Sequence, residues 1–255
     1  MHQDPRLVRH DESTMPVTAI ATDHPAGHVI PRHKHPNAQL IHAVRGVMVV
    51  ATQGGHWVVP PTRGLWMPPG VVHEVRMVGE VHMRSAFIRP EAAAGLSSEC
   101  AVLGITSLLR ELILAAVDAP FPYEADSRTG RLMRLMLDEV KVMPVLPLHL
   151  PRANDERLQA ICNSVQSSPD DRTTLEQWSE RLGVGAKTIQ RQFAREFGLT
   201  FGQWRQQARL LAGLERLASG AKVLDVALDL GYDSPSAFTT MFKRQFGVTP
   251  SMFFQ

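Results

Sequence analysis

Residues 227–250 read A-L-D-L-G-Y-D-S-P-S-A-F-T-T-M-F-K-R-Q-F-G-V-T-P and predict a helix, a glycine-centred turn and a second helix. Gly231 is expected in the turn, because glycine permits the steep crossing of two helices joined by a short connection. Ser234 before Pro235 is typical of an N-cap followed by proline at the first helical position. The second helix is therefore expected to begin at Pro235.

Phenylalanines recur every four residues along that second helix and predict its buried stripe, which consists of Phe238, Phe242 and Phe246. The residues between them are then left to face outward. These are Ser236, Ala237, Thr239, Thr240, Lys243 and Arg244.

Residues 175–198 repeat the same pattern upstream. A short first helix has apolar residues at helical spacing, namely Leu175, Trp178 and Leu182. A turn follows at residues 183–185, and then a basic helix in which Ile189 and Phe193 are the expected buried pair. The residues left outside on that helix are Lys187, Gln190, Arg191 and Gln192.

The C-terminal part of the chain, residues 155–255, resembles the DNA-binding domain of the AraC/XylS family of bacterial transcription regulators. The resemblance lies in G-V-G-A-K-T-I-Q-R-Q-F at 183–193, F-G-Q-W-R-Q-Q-A-R-L at 201–210, and the whole of residues 227–250. It implies an all-α domain in which a long helix, residues 201–217, joins two helix-turn-helix units and sets them near one turn of double-stranded DNA apart. The expected partner is a promoter or operator.

The resemblance also implies which residues contact DNA. Base-facing positions would be Lys187, Gln190 and Arg191 in the first unit and Ser236, Thr239 and Thr240 in the second. Glutamine and arginine can pair bidentately with adenine and guanine edges, whereas the second unit offers small hydroxyl residues, which contribute affinity more than specificity. Phosphate contacts are assigned to Arg195, Arg205, Lys243 and Arg244.

Charge alone does not establish this function, since the formal net charge is only +2. The excess of Arg and Lys over Asp and Glu from residue 181 onward is more informative, as a phosphate-contacting surface needs it. The alternative for this half is a helical protein-interaction domain with solvated arginines.

The first hundred residues show a different pattern, with Val, Ile and Met in partial alternation along residues 39–51 and 80–88. Glycines and prolines separate these runs, for example at 54–55, 60–61 and 68–70. The pattern predicts a small antiparallel β-barrel over residues 1–100. The whole chain is thus expected to be α+β.

Two segments of this half resemble the motifs of the cupin barrel, G-H-V-I-P-R-H-K-H-P-N-A-Q-L-I-H-A-V-R-G at 27–46 and G-L-W-M-P-P-G-V-V-H at 64–73. The resemblance implies a metal-ligand set of His33, His35, Gln39 and His73. Histidines two apart on a strand point to the same side of a sheet, and His73 on a paired strand can approach them. Such ligands suit a divalent transition metal, Zn, Ni, Co, Fe or Mn. Gln39 replaces the usual glutamate, which removes a negative charge and weakens the site.

An alternative is a barrel that holds a small organic effector, with the histidines as hydrogen-bond partners. Four further histidines are interpreted as ordinary core or surface side chains: His28, His42, His56 and His82. Three further side chains are interpreted as core residues: Met48, Trp66 and Met67.

Residues 105–117 and 129–142 predict two helices with apolar faces. One face of the first helix has Leu108, Leu109, Leu112 and Ala116. The second helix has, at helical spacing, Leu132, Leu135, Met136 and Glu139. The AraC/XylS resemblance implies that this helix pair, within residues 101–142, makes the contact between the two chains of a homodimer. The alternative is that the helices cover only their own barrel. Prolines at 144, 147 and 151 then predict an extended linker over residues 143–154.

Together these features predict a transcription regulator whose N-terminal domain senses a metal ion or a small molecule, without catalysis. A rival interpretation is a metal-dependent cupin enzyme, a dioxygenase or an isomerase, with accessory helices. A third is a constitutive DNA-binding protein with a vestigial barrel. The lack of an apolar leader or membrane-length segment, and only two widely spaced cysteines, Cys100 and Cys162, lead us to expect a cytoplasmic protein without disulfides.

Overall fold

The structure, a computed structural model, describes residues 5–142, 145–146 and 148–253. The chain divides into two compact units, Met1–Gln53 with Trp57–Pro147 and Gly54–His56 with Leu148–Gln255. The first unit is built on an antiparallel sheet and the second on helices, which confirms the predicted α+β class.

The first unit begins with helix α1 (Pro5–Asp11) and continues with antiparallel strands. The strands are β1 (Val17–His24), β2 (Val29–His33), β3 (Ala38–Thr52), β4 (Gly55–Val59), β5 (Arg63–Met67), β6 (His73–Ile88), β7 (Ala101–Gly104) and β8 (Val145–Leu146). The first two residues of β4, Gly55 and His56, are assigned to the second unit. Their order in the sheet is β1-β6-β3-β5-β7-β8, with β2 paired to β6 and β4 to β3. Closure of this sheet into a cupin barrel stays a prediction.

Two long strands, β3 and β6, organise the sheet. They pair along nearly their whole length, from Ala38 opposite Ile88 to Thr52 opposite His73, with bulges near Arg45. The other edge of β6 pairs first with β2 and then with β1. Because bulges bend a strand, the long pair can curve and present one face as a concave surface.

Helices α2 (Ser107–Val117) and α3 (Arg128–Val142) pack on this sheet and bury a shared apolar core. Leu109, Leu112 and Ala116 face that core as the sequence predicts, but Leu108 is 49% exposed. On α3, Met136 is buried whereas Leu135 is 45% exposed. The helices therefore cover their own sheet and leave two leucines outside. Residues 101–104, included with the helix pair above, form β7.

The second unit contains the short strand β9 (His149–Pro151) and seven helices among the described residues. The helices are α4 (Glu156–Ser167), α5 (Leu175–Leu182), α6 (Ala186–Phe197), α7 (Phe201–Ala218), α8 (Val223–Asp229), α9 (Pro235–Phe246) and α10 (Pro250–Phe253). Helices α4 and α10 were not anticipated from the sequence. Buried Phe253 of α10 packs on Phe242 and Phe246 of α9, with ring centroids 5.2 and 4.7 Å apart.

The segment 143–154, predicted as an extended linker, contains two short strands. Val145 and Leu146 pair with β7, so this part of the segment belongs to the sheet of the first unit. Residues 143, 144 and 147 lie outside the described residues, including two of the prolines on which the linker prediction depends.

Both cysteines are free thiols. Burial raises the pKa of Cys100 to about 11 and that of Cys162 to about 12, so both remain protonated. Across the described ranges, no helix has the length and apolarity needed to cross a membrane. Met48, Trp66 and Met67 are fully buried core residues, as the simpler interpretation predicts.

Candidate functional site

Three of the predicted ligands, His33, His35 and His73, meet at one end of the sheet. Their potential ligand nitrogens all lie within 4.8 Å of one another. The ring centroid of His33 lies 4.8 Å from that of His35 and 4.3 Å from that of His73. Since two Zn–N bonds of about 2.1 Å each span at most about 4.2 Å, small side-chain rotations would bring all three nitrogens onto one ion.

Strand pairing and one loop contact bring these residues together. His33 ends β2 directly opposite His73, the first residue of β6. His35 lies just beyond β2, in the loop, and not on the strand as the sequence suggested. Its carbonyl accepts a hydrogen bond from the Gly70 amide at 2.9 Å, which joins this loop to the one that precedes β6.

Each imidazole uses its Nδ1 atom for a hydrogen bond within the protein. Nδ1 of His33 lies 2.8 Å from the Pro31 carbonyl, and Nδ1 of His73 lies 2.9 Å from the Val71 carbonyl. Nδ1 of His35 lies 2.7 Å from Oδ2 of Asp11. Oxygen acceptors require the proton on Nδ1, so the lone pair of each neutral ring is on Nε2, the arrangement found in metal-binding histidines.

The protonation of the cluster also suits a ligand role. Burial lowers the pKa of His73 to about 4, and burial is likewise the main cause that lowers the pKa of His33. Both rings are therefore neutral at neutral pH, the form that can bind a metal without first losing a proton.

Gln39, the fourth predicted ligand, is 5% exposed on β3. Its register partner on β6 is Phe87, whose ring meets that of His35 edge-on at 5.0 Å. Register partners share a face of the sheet, so Gln39 lies on the same face as the cluster. Its Nε2 is 3.4 Å from the Ser85 hydroxyl, whereas its Oε1 is buried without a hydrogen-bond partner.

The buried donor atoms fit a divalent metal ion. Nε2 of His35 is also buried without a partner, as is Oε1 of Gln39. Buried polar atoms without hydrogen bonds are costly, and a bound ion would remove that cost for each of these atoms that it contacts. Imidazole nitrogens with an amide oxygen suit a borderline ion of the Zn, Ni, Co, Fe or Mn class. His28, His42, His56 and His82 lie outside this group, in agreement with their interpretation as ordinary side chains.

Asp11 is the residue of this site that the sequence did not reveal. It ends α1, and its carboxylate reaches His35 across 24 residues of sequence. No spacing rule connects an acidic residue in a short N-terminal helix with a histidine in a later loop. Only the packing of α1 on the sheet places them together.

The second candidate site is the outer surface of the helical unit. In its first half, Gly183 ends α5 with φ of +63°, and Ile189 and Phe193 are the buried residues of α6, as predicted. Lys187, Arg191 and Arg195 are exposed on α6, and Gln190 is half-buried. A shallow groove of about 210 Å³ runs along this helix between Thr188, Arg191, Gln192 and Arg195. Thr188 lines this groove and was not among the predicted DNA contacts.

The second half repeats the arrangement. The Ser234 hydroxyl accepts a hydrogen bond from the Ala237 amide at 3.1 Å, and Pro235 opens α9, which confirms the predicted cap. Phe238 and Phe242 are fully buried, whereas Phe246 is only half-buried. Of the residues predicted to face outward, Thr239 is half-buried and the others are exposed, namely Ser236, Ala237, Thr240, Lys243 and Arg244.

Helix α7 joins the two halves and has 18 residues, a length of about 27 Å at 1.5 Å per residue. Arg205 on this helix differs from the other predicted phosphate contacts. Its guanidinium is half-buried, lies 4.9 Å from the Phe201 ring centre and donates to the Thr173 carbonyl at 3.1 Å. The hydrogen bond to Thr173 links α7 to the segment before α5, whereas the contact with Phe201 lies within α7.

Comparison with known proteins agrees with both halves of this description. Residues 16–138 match the family model described as "AraC-like ligand binding domain", and residues 178–255 match that of a "Helix-turn-helix domain". The HTH-type transcriptional regulator NimR of Escherichia coli K12 is 34% identical over 223 residues, which is 88% of this chain and 81% of that protein. The chain belongs to the AraC family of transcriptional regulators.

As a member of this family, the chain is a DNA-binding transcriptional regulator with an N-terminal ligand-binding domain. The HTH-type transcriptional regulator RipA of Corynebacterium glutamicum is 37% identical over 120 residues, 47% of this chain and 34% of that protein. A crystal structure of ToxT from Vibrio cholerae O395 aligns with a TM-score of 0.40 at 11% identity, over 94% of this chain and 97% of that chain.

Proposed function

We propose that this regulator senses a divalent transition metal ion through His33, His35, Gln39 and His73, and that occupancy of this site changes its binding to an operator. The observation that carries the proposal is the convergence of three imidazoles whose Nδ1 atoms are all engaged by oxygen acceptors. Histidines that only filled a core would have no need to bring one potential ligand nitrogen each within 4.8 Å of the others. The metal, when bound, would supply a fixed positive charge that holds three segments together.

On the DNA side, we propose that α6 and α9 enter successive major grooves. Lys187, Gln190 and Arg191 read bases in the first groove, where two side chains of the set can bind base edges bidentately. Arg195, Lys243 and Arg244 contact phosphates, and Ser236, Thr239 and Thr240 face the second groove. Arg205 is left out of the phosphate set because its contacts lie inside the domain.

The coupling between the two sites is an equilibrium linkage. A metal that prefers the DNA-competent form of the protein tightens operator binding, and the operator must tighten metal binding by the same factor. Typical coupling amounts to about 5- to 150-fold in affinity. We propose that the protein works this way in the cytoplasm, as a homodimer and without catalysis.

The test is operator binding by purified full-length protein, with a duplex selected from random DNA by the protein itself. Fluorescence anisotropy would be measured after chelation and again with added Zn²⁺, Ni²⁺, Co²⁺, Fe²⁺ or Mn²⁺. We expect one of these ions to change Kd at least fivefold, and we expect His33→Ala/His35→Ala to abolish the change. His28→Ala/His56→Ala is the matched control, because those histidines lie outside the cluster.

Three other outcomes would each count against metal sensing. Equal operator binding by the double variant and the wild type under all conditions would indicate a constitutive DNA-binding protein. A response to a small organic molecule that persists after chelation would indicate an organic effector. Turnover of a substrate by the metal-loaded protein would favour the enzymatic alternative.

A further inference from the structure

The acceptor that holds His35 differs in kind from the acceptors that hold the other two ligands. His33 and His73 each use the carbonyl of the residue two positions earlier, so their orientation is local. His35 instead uses the carboxylate of Asp11, from a different element. The geometry of His35 therefore depends on how α1 packs.

This carboxylate is in an unusual environment for a charged group. Asp11 has only 13% of its side chain exposed, and its Oδ1 atom is buried without a hydrogen-bond partner. It also ends α1, where the free carbonyls of a helix disfavour an anion. A buried carboxylate in such a place needs a hydrogen-bond donor, and Nδ1 of His35, which lies 2.7 Å from Oδ2, supplies one. A metal on Nε2 of His35 would polarise the Nδ1–H bond and strengthen this contact.

Helix α1 is held against the first unit by contacts that do not involve His35. Asn37 donates from Nδ2 to the Asp11 carbonyl at 3.0 Å. The His10 ring stacks on Phe121 at 5.1 Å between centroids, and the Arg9 guanidinium lies 4.7 Å from the centre of the same ring. These contacts hold α1 in a position in which the Asp11 carboxylate reaches Nδ1 of His35.

We propose that Asp11 is a positioning residue of the metal site, which fixes the tautomer and orientation of His35 without touching the ion, and that metal occupancy strengthens the docking of α1. This inference rests on the metal site proposed above. Acceptors of this type raise the basicity of a ligating histidine, and their loss typically costs about 10- to 100-fold in metal affinity. By linkage, the metal must stabilise the docked helix by the same factor.

The experiment compares Zn²⁺ affinity in full-length wild type, Asp11→Ala, Asp11→Asn and Glu12→Ala by competition with a chromophoric chelator. We expect about a 10- to 100-fold loss in Asp11→Ala. Asp11→Asn keeps an oxygen acceptor without the charge, so it should recover part of the affinity. Glu12→Ala removes the same charge one residue away at an exposed position and should leave the affinity unchanged.

A second measurement separates positioning from general damage to the fold. In the Zn²⁺-loaded wild type, ¹H–¹⁵N spectra of the imidazoles should show a protected Nδ1–H proton of His35, assigned by its absence in His35→Gln. That signal should be lost in Asp11→Ala, while those of His33 and His73 remain. Amide exchange of residues 5–11 should slow on addition of Zn²⁺ in the wild type and not in Asp11→Ala.

Asp11→Ala and Glu12→Ala that bind Zn²⁺ as tightly as the wild type would overturn the role of Asp11 and leave the metal site intact. Equal losses in the two variants would also overturn it, since charge alone would then explain the effect. Loss of the Nδ1–H signals of all three histidines in Asp11→Ala would indicate general damage and would contradict positioning. Wild-type protein that binds no metal would remove the site itself.

Discussion

The hydrogen bond that one ring nitrogen of a histidine makes decides which nitrogen is left with a lone pair that can bind a metal. In this chain the Nδ1 atoms of His33, His35 and His73 are each paired with an oxygen, and burial keeps His33 and His73 neutral. Gln39 adds a buried oxygen without a hydrogen bond. In the proposed site, imidazoles and an amide would bring no negative charge to a divalent ion, and the Asp11 carboxylate beside His35 would offset part of the charge of that ion.

Burial of His73 makes the stability of the metal-free protein depend on pH. The pKa of His73 is about 4 in the folded protein against 6.5 for the free side chain, so between these values the unfolded chain binds a proton that the folded protein excludes. Stability is therefore lost as pH falls below 6.5, by about 2 kcal/mol on going to pH 5.

Urea unfolding of chelator-treated protein at pH 7.5 and pH 5 measures this loss. His73→Gln should lose about 2 kcal/mol less than the wild type over the same interval. Titrating groups that do not contact His73 contribute equally to both proteins, so parallel losses would contradict the assigned pKa.

Arginines on the same helix are expected to act differently on DNA. Arg191→Ala should weaken operator binding by about 1–3 kcal/mol and change binding to random DNA little, because its proposed contact is with a base. Arg195→Ala should weaken both to a similar extent and lower the salt slope by about one, because its proposed contact is with a phosphate. Anisotropy titrations over a series of salt concentrations would measure both effects. Equal loss for Arg191→Ala on both DNAs would make it a phosphate contact.

At the scale of elements, the two helix-turn-helix units share a plan but differ in how tightly the turn is packed. Gly183 has φ of +63°, and a Cβ atom placed on it would meet no atom within 4 Å. Gly231 has φ of +75° and lies against the backbone of Asp170. A Cβ atom on Gly231 would sit 3.0 Å from the Asp170 Cα. The second turn is therefore fixed by its neighbour as well as by its own conformation.

Alanine substitution at the two turns tests this difference. Gly183→Ala should lower the free energy of unfolding by about 1 kcal/mol, the cost of the left-handed conformation alone. Gly231→Ala should cost about 1–2 kcal/mol more, because the backbone at Asp170 must also move. Urea unfolding of both variants gives the comparison. Equal costs would show that the contact with Asp170 yields without strain.

At the scale of the whole molecule, the chain combines a ligand-binding β unit with a DNA-binding helical unit. Each unit has its own apolar core. In the proposed mechanism, the ligand acts on DNA binding because it binds one conformational state of the protein better than another. A homodimer would place two DNA-binding units on one promoter.

The exposed leucines of α2 and α3 are the proposed homodimer contact. Leu108→Glu/Leu135→Glu should yield monomers, because the change places charges where two apolar surfaces would meet. Light scattering on the purified protein measures the mass. Leu112, which the sequence placed on the same face as Leu108, is buried in the core and would unfold the protein if replaced by Glu.

The control for this prediction is Leu224→Glu/Leu228→Glu. These leucines are 51% and 54% exposed on α8, in the other unit, and their substitution should leave the dimer intact. A dimer that survives in Leu108→Glu/Leu135→Glu would place the interface elsewhere.

The sequence by itself was sufficient for the features that depend on neighbours along the chain. The N-cap at Ser234, the turns at Gly183 and Gly231, and the buried faces of α6 and α9 follow from capping, backbone conformation and helical periodicity, which act over a few residues. The cupin resemblance indicated which histidines meet, since it implied His33, His35 and His73, and the pairing of β2 with β6 places His33 opposite His73.

Only the tertiary structure decided what depends on residues far apart in sequence. It brought Asp11 to His35, tied Arg205 to Thr173, added β8 to the sheet and separated exposed Leu108 from buried Leu112. Each of these results from how one element packs on another. Packing is set by the sum of many weak contacts across the whole unit, so the spacing of residues within a short segment does not predict it.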